Sequence, residues 1–277
     1  MTSATGQIYR ITSFDRFKDE FLAKALGFVT YDTWMDPSEG PILRALDLDE
    51  GRKKILSWLG KHSKTDLPPQ VLLEILTNLR KTVHMQSWSY NPESNLMWGA
   101  YSHQGRAIRI STTKESISQI GGVKIVRMDY KVLPLKHELR RVFKKGKLHL
   151  DEVFARKKPE YRDEKELRLI TDIDLAWLEK ATLPWGVPPS AIRASCQGIV
   201  EQGAMTPDDL EKTVASWILK ACVKPVSFGH VNGFIESVLV GPTATPEFVS
   251  EVEMFCAEND LHFKGKSEVL TYKLPKD

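Results

Sequence analysis

Cysteines, long apolar runs and glycine-rich phosphate loops are scarce or absent in this sequence. Its 277 residues include three cysteines, an odd number that fits no disulfide framework and no metal-ligand spacing. No stretch approaches the roughly 20 apolar residues that a membrane span needs. Walker A and G-x-G-x-x-G sequences are absent, which excludes the common phosphate-binding loops. We therefore expect no metal site and no membrane span.

A strong charge of one sign is also missing. The formal net charge is +3, so the composition demands neither a nucleic acid nor an anionic membrane as partner. The first residues show neither the basic nor the apolar segment of a signal peptide. We expect a cytoplasmic protein, or one delivered into a target cell as an effector. The composition leaves the oligomeric state undefined.

Hydrophobic periodicity predicts an α+β fold with a mainly antiparallel sheet core and flanking helices. The predicted strands cover residues 8–11, 28–31, 84–89, 106–110, 122–130, 166–171, 234–240 and 262–266. The predicted helices cover residues 14–26, 42–60, 68–83, 95–101, 131–154 and 245–259, and Ser13 is a plausible N-cap of the first. We expect one compact domain over residues 8–272, with helical elaborations at about 40–83 and 174–222.

Three short segments place aromatic or charged side chains where a plain core element would have aliphatic ones. They are Ser87-Trp88-Ser89, Met97-Trp98-Gly99-Ala100-Tyr101 and Glu164-Lys165-Glu166-Leu167-Arg168. They lie far apart in the sequence, so a fold that brings them together would build one pocket around them. The Glu-x-Glu pair is the expected chemical centre of that pocket.

These segments, in this order, resemble the bacterial domain-of-unknown-function family numbered 2971. The matching motifs are Tyr9-Arg10-Ile11, the loop Trp34-Met35-Asp36-Pro37-Ser38-Glu39, the three segments above, and a closing strand, helix and strand from Ile235 to Lys266. The resemblance covers about residues 8–272 and implies a fold and a pocket, without an established reaction. The chain departs from the family pattern at Met35, Ser38, Ser87 and Leu167.

The order Arg, Ser-x-Ser, Glu-x-Glu is also similar to that of ADP-ribosyltransferases, which use NAD as substrate. This similarity implies that Arg10 holds the diphosphate, that Ser87 and Ser89 position the nicotinamide ribose, that Glu166 is catalytic, and that Glu164 acts on the acceptor side. It further implies an aromatic wall from Trp34, Trp98 and Tyr101, and substrate contacts from Asp36, Glu39 and Arg168. The acceptor would be a protein or a nucleic acid, in a toxin or defence setting.

Structural interpretations of the same residues remain open. Arg10 also suits the surface of an edge strand, Trp98 and Tyr101 suit a helix core, and two glutamates beside Arg168 suit a salt-bridge ladder. The pocket is equally compatible with a non-enzymatic module that binds a nucleotide or a peptide. A third hypothesis is nucleic-acid binding through the basic residues of 131–158, which otherwise form a solvated helix face.

Overall fold

The computed structural model describes residues 6–31, 40–64, 67–101, 105–145, 147–171, 223–229 and 233–269. The described strands are β1 (Gln7–Ser13), β2 (Ala25–Thr30), β3 (His84–Ser89), β4 (Ala107–Thr113), β5 (Val123–Arg127), β6 (Phe143–Lys144), β7 (Lys147–Leu148), β8 (Glu166–Thr171), β9 (Val223–Ser227), β10 (Ser237–Val240) and β11 (Phe263–Lys266). The described helices are α1 (Phe14–Leu22), α2 (Pro41–Ala45), α3 (Asp49–His62), α4 (Pro69–Thr82), α5 (Asn95–Tyr101), α6 (Lys114–Ser118), α7 (Leu135–Val142), α8 (Leu150–Phe154) and α9 (Pro246–Glu258), with a 3-10 helix at Pro159–Glu164. The predicted α+β class is confirmed.

The main sheet is antiparallel except for the pair β10 and β11, and strand β3 lies at its centre. One edge of β3 pairs with β8 over five residue pairs, from Met85↔Ile170 to Ser89↔Glu166. The opposite edge is shared, because β2 pairs with the start of β3 and β1 meets its end at Tyr9↔Ser89. Strands β4, β10 and β11 extend the sheet beyond β1, and β5 extends it beyond β8. This topology places residues from β1, β3 and β8 side by side.

Helices cover both faces of the sheet, and the core is correspondingly divided. On one face, α1 and α9 pack on Ile8, Trp88 and Leu167. On the other face, helices α2, α3, α4, α7 and α8 pack on Met85 and Ile170. A smaller cluster lies where α5 packs on Ile11 of β1. Burial of both faces leaves little polar-apolar alternation in the central strands.

The predicted element boundaries hold in some places and fail in others. Ser13 is the N-cap of α1, as predicted, since its hydroxyl accepts a hydrogen bond from the Arg16 backbone N–H at 3.3 Å. The helix ends at Leu22 rather than at residue 26, because Lys24 adopts a left-handed φ of 47° and turns the chain into β2. Gly27 therefore lies inside a strand instead of ending the helix.

The single helix predicted over 131–154 is wrong. Its sequence divides into α7, the β6–β7 hairpin and α8. Pro134 fixes the start of α7, and Lys145, at a φ of 51°, lies between the two hairpin strands. The strand predicted over 166–171 is confirmed, but it is buried on both faces rather than on one. Of the predicted insertion at 174–222, every residue lies outside the described part of the chain.

Candidate active site

A sharp turn delivers Glu166 to the beginning of β8. The 3-10 helix ends at Glu164, and Lys165 follows in the left-handed region at a φ of 44°. The Lys165 carbonyl accepts a hydrogen bond from the Tyr90 backbone N–H at 3.2 Å, which fixes the turn against the end of β3. The side chain of Glu166 then projects from the sheet face that carries Ser87, Ser89 and Arg168.

The Glu166 carboxylate is 4% exposed, and both of its oxygens are hydrogen-bonded. Oε1 accepts a hydrogen bond from the Ser87 hydroxyl and another from Arg168, whose Nη2 lies at 3.0 Å. Oε2 accepts from Lys157 Nζ at 2.8 Å. Buried carboxylates are stable in their charged form only with partners of this kind.

The surroundings of Glu166 determine its protonation state. Burial by itself raises the pKa of this carboxyl, whereas the positive charges of Arg168 and Lys157 lower it. The hydrogen bonds from Lys157 and Ser87 add to the stabilisation of the anion. The pKa of Glu166 is therefore below its ordinary value, and the side chain is a carboxylate at neutral pH.

Lys157 connects the two glutamates of the Glu-x-Glu pair. Its Nζ lies 2.8 Å from Glu164 Oε2 and 2.8 Å from Glu166 Oε2, and the three side chains are buried. The ring of Tyr161 lies under the same ammonium, 4.8 Å away. The structure thus brings together Glu164, Glu166 and Arg168, as the sequence predicts, and adds a lysine that it did not predict.

The two predicted serines make different contacts. The Ser87 hydroxyl donates to the Glu166 carboxylate, so it lies at the chemical group of interest. The Ser89 hydroxyl instead donates to the backbone carbonyl of Glu164 and accepts from the Asn91 backbone N–H at 2.8 Å. Ser89 therefore holds the turn before β8 in place.

Arg10 is not brought together with this group. Its neighbour Tyr9 is the residue that pairs with Ser89, so strand alternation turns Arg10 to the opposite face of the sheet. There its guanidinium is buried and forms a two-point ion pair with Glu20, at 2.6 Å and 3.2 Å. The shared cleft predicted for Arg10 and Glu166 is absent from the described structure.

Tyr9 is the β1 residue that shares a face with the serines and Glu166, and the sequence analysis missed it. Its hydroxyl donates to Gln7 Oε1 at 2.8 Å, and the guanidinium of Arg109 lies 4.9 Å from its ring. The available signal was the alternation along β1, which puts Tyr9 and Arg10 on opposite faces. Tyr130 was also missed, and its hydroxyl accepts a hydrogen bond from the Glu166 backbone N–H at 2.6 Å.

The predicted aromatic wall is divided between core and surface. Trp98 is 0% exposed and packs with Ile11 and Leu239, while its Nε1 donates to Glu93 at 2.9 Å. A methyl group added to Gly241 would lie only 3.1 Å from the Trp98 ring, which shows how closely the backbone approaches it. Tyr101 is 41% exposed. Trp98 is thus a core residue, as the structural interpretation has it, whereas Tyr101 is not.

Three further predicted residues fall in a segment that is not described. Trp34, Asp36 and Glu39 lie within residues 32–39, outside the described part of the chain. Their roles stay predictions.

A cleft of about 530 Å³ has Lys157, the partner of both glutamates, among its lining residues, whereas neither Glu164 nor Glu166 lines it. Its walls come from α2 and the residues after it, from residues 131–133, and from residues 156–160. Five of the lining residues are cationic, Arg44, Lys131, Arg156, Lys157 and Lys158, and two are acidic, Asp47 and Glu160. Lys157 therefore links the ionised buried carboxylate to a cleft with an excess of positive charge.

Metal and membrane features were sought in the same described ranges. No group of three or more His, Cys, Asp or Glu side chains there is arranged to hold a metal ion. None of the described helices is long and apolar enough to cross a bilayer.

Comparison with known proteins gives distant similarity only. No known family model matches the chain, so the resemblance to family 2971 is not confirmed, and no curated protein matches it. Among solved structures, it is similar to DarT of Thermus sp. 2.9 in complex with NAD+, at 11% identity and a TM-score of 0.35, over 95% of this chain and 96% of that one. The same DarT in complex with ADP-ribosylated ssDNA gives 11% identity and a TM-score of 0.34, over 96% of this chain and 94% of that chain. The carba-NAD+ complex gives 12% identity and a TM-score of 0.34, over 97% of each chain.

Proposed function

We propose that the protein is an NAD-dependent ADP-ribosyltransferase or NAD-cleaving enzyme, with Glu166 as its catalytic carboxylate. The observation that supports this most directly is the contact set of Glu166. An ionised, buried carboxylate lies against a serine hydroxyl, and its lysine partner lines a cationic cleft. A dinucleotide with a dianionic diphosphate and a reactive ribose matches both parts of this arrangement.

The reaction places specific demands on such a carboxylate. The glycosidic bond between the ribose C1′ and the nicotinamide nitrogen breaks, and its electron pair goes to that nitrogen, which becomes neutral. Positive charge develops on the ribose, and a fixed carboxylate stabilises it. A lone pair of the acceptor oxygen or nitrogen then forms the new bond to C1′, and the acceptor loses its proton.

The described side chains fill these roles in the proposal. Glu166 accepts a hydrogen bond from the ribose 2′-hydroxyl in place of the one from Ser87, and Ser87 then orients the ribose. Glu164, held by the same lysine, takes the acceptor proton. Arg168 is buried and keeps Glu166 ionised, so we place it as a positioning residue rather than a substrate contact.

The direct test is release of nicotinamide from labelled NAD, together with transfer of label to protein and nucleic acid acceptors. We expect turnover by the wild type and a loss of about 100-fold or more in E166Q, since one electrostatic group of this type contributes that much. E253Q is the matched control, because Glu253 is exposed on α9, which packs on the opposite face of the sheet from α2. Wild-type rates in E166Q would contradict the proposed role.

A second candidate function is nucleotide binding without turnover. It is favoured by the balance of charge around Glu166, because two buried cations and two buried glutamates already neutralise one another. Saturable NAD binding with no nicotinamide release in any condition would select this alternative. The nucleic-acid hypothesis predicts instead a steep fall in affinity as salt is raised from low to physiological concentration.

A further inference from the structure

We infer that the cleft beside Lys157 is the diphosphate-binding part of the site, and that it binds ADP on its own. The assignment to a dinucleotide substrate rests on the function proposed above. Binding of ADP does not depend on turnover, so the two statements can fail separately.

The cleft needs cations whose charge is not already taken up by the protein, and the described contacts identify them. Arg156 is buried and paired with Glu138 at 3.1 Å and with Asp129 at 2.5 Å. Lys157 is held between Glu164 and Glu166. Both of these cations serve the fold, and neither is available to compensate a ligand.

Two lining cations differ from these. Among the described residues, neither Arg44 nor Lys131 forms a side-chain ion pair or hydrogen bond. A third, Lys158, has one side-chain ion pair within the described ranges, with the exposed Glu160 at 3.5 Å. One planar guanidinium and two flexible ammonium groups at one cleft are well suited to a diphosphate, since the guanidinium binds two oxygens at once.

The rim of the cleft carries apolar side chains that are unusually exposed. Leu48 is 65% exposed and Val132 is 74% exposed, and both line the cleft. Aliphatic side chains in this position provide a surface for the flat apolar face of a base. The combination favours a nucleoside diphosphate over inorganic phosphate alone.

This assignment also identifies cations for the diphosphate, the role that the sequence predicted for Arg10. The first-strand arginine is buried on the opposite face of the sheet with Glu20, so the diphosphate needs other cations. Lys158 follows Lys157 directly in the chain, and Lys157 contacts the Glu166 carboxylate. A dinucleotide whose diphosphate lies along this cleft would have its reactive ribose directed to the carboxylate.

The experiment is titration calorimetry of the full chain with ADP, pyrophosphate and adenosine as three separate probes. We expect ADP to bind more tightly than either of the others, and R44Q/K131Q to weaken ADP binding by about tenfold or more. V132N should weaken ADP by about threefold or more and leave pyrophosphate unchanged, because it alters only the apolar rim. The control is K114Q/K264Q, which removes two charges from exposed lysines on α6 and β11.

The outcomes separate the two proposals. An absence of ADP binding, or an equal loss in R44Q/K131Q and K114Q/K264Q, overturns the inference about the cleft, whatever the protein does with NAD. ADP binding that R44Q/K131Q weakens and K114Q/K264Q does not, without nicotinamide release from NAD, confirms the cleft as the ADP-binding site and contradicts the proposed enzymatic function. Thermal unfolding of each variant shows whether a loss of affinity comes from a loss of folded protein.

Discussion

Lys157 shows how one buried side chain can hold a site together. A lysine loses its hydration on burial, and it is tolerated in the interior because two carboxylates, Glu164 and Glu166, replace the water. The ammonium also brings together two backbone segments, the end of the 3-10 helix and the start of β8. Charge and chain geometry are therefore fixed by the same contact.

Replacing Lys157 tests this dependence. K157Q should lower the free energy of unfolding by about 3 kcal/mol, because two buried carboxylates then lose the cation that they share, although Arg168 still contacts Glu166. Urea unfolding is the measurement, and K158Q is the matched control, since the neighbouring Lys158 is exposed and loosely paired. We expect K158Q to change the free energy of unfolding by no more than about 0.5 kcal/mol. Equal effects of the two substitutions would show that the Lys157 contacts contribute little.

At the scale of elements, the starts of α1 and α9 are the best predicted features of this chain. Ser13 caps α1 as the sequence indicated, and Thr245 caps α9 with Pro246 in the first position. Cap residues act through their own backbone neighbours, so the sequence contains the information. Helix α9 matters to the whole sheet, because it buries Phe248 and Val252 against the first core.

Removal of the α9 cap should be measurable. The Thr245 hydroxyl accepts a hydrogen bond from the Phe248 backbone N–H at 3.3 Å. T245A should therefore reduce stability by about 1 kcal/mol in urea unfolding. The nearby Thr243 is exposed and makes no side-chain hydrogen bond within the described residues, so T243A is the control. An equal loss in both variants would rule out the cap as the cause.

The sheet face to which each side chain of a central strand points was much harder to predict than the starts of these helices. Strand β1 is covered on both sides, so Ile8 and Ile11, of opposite parity, are both buried and alternation gives no direction. Arg10 was therefore predicted as the β1 residue of the site, whereas the pairing with Ser89 places Tyr9 on the face that carries Glu166. Glu166 and Ser87, both taken from the resemblance, do meet in the structure, because β3 pairs with β8 and the Ser87 hydroxyl donates to the carboxylate.

For the whole molecule, the sequence was sufficient for the fold class and for the polar residues of β3 and β8. It was not sufficient for the cleft, whose walls come from segments near residues 44, 131 and 158. In the sequence, Arg156, Lys157 and Lys158 look like one solvated basic run, yet the first two are buried. Their partners are set by tertiary structure, which local pattern does not reveal.

Stability as a function of pH is a property of the whole molecule, and the buried Glu138 contributes to it near neutrality. Burial raises the pKa of Glu138 to about 7, and the negative charges of Asp129 and Glu152 add to this, although Arg141 opposes it. The second oxygen of Glu138 has no hydrogen-bond partner among the described residues, while its first accepts from Arg156 at 3.1 Å.

The sign follows from proton linkage. Between the ordinary pKa of about 4.5 and the raised value of about 7, the folded chain retains a proton that the unfolded chain has lost, so stability falls as pH rises through this window. The stability of E138Q relative to wild type should therefore be higher at about pH 8 than at about pH 5, by urea unfolding. The exposed E253Q should show no such trend. If the stability of E138Q relative to wild type were instead lower at about pH 8 than at about pH 5, the raised pKa of Glu138 would be contradicted.

The central position of β3 has a consequence for biosynthesis. Its partners on one edge come early in translation, but the strand that carries Glu166 is made some 80 residues after β3 itself, which spans His84–Ser89. Until that strand leaves the ribosome, β3 has an open edge and the Ser87 hydroxyl has no carboxylate to donate to. A truncated translation product that stops short of Glu166 would therefore lack this carboxylate, and the edge of β3 that β8 covers would stay unpaired.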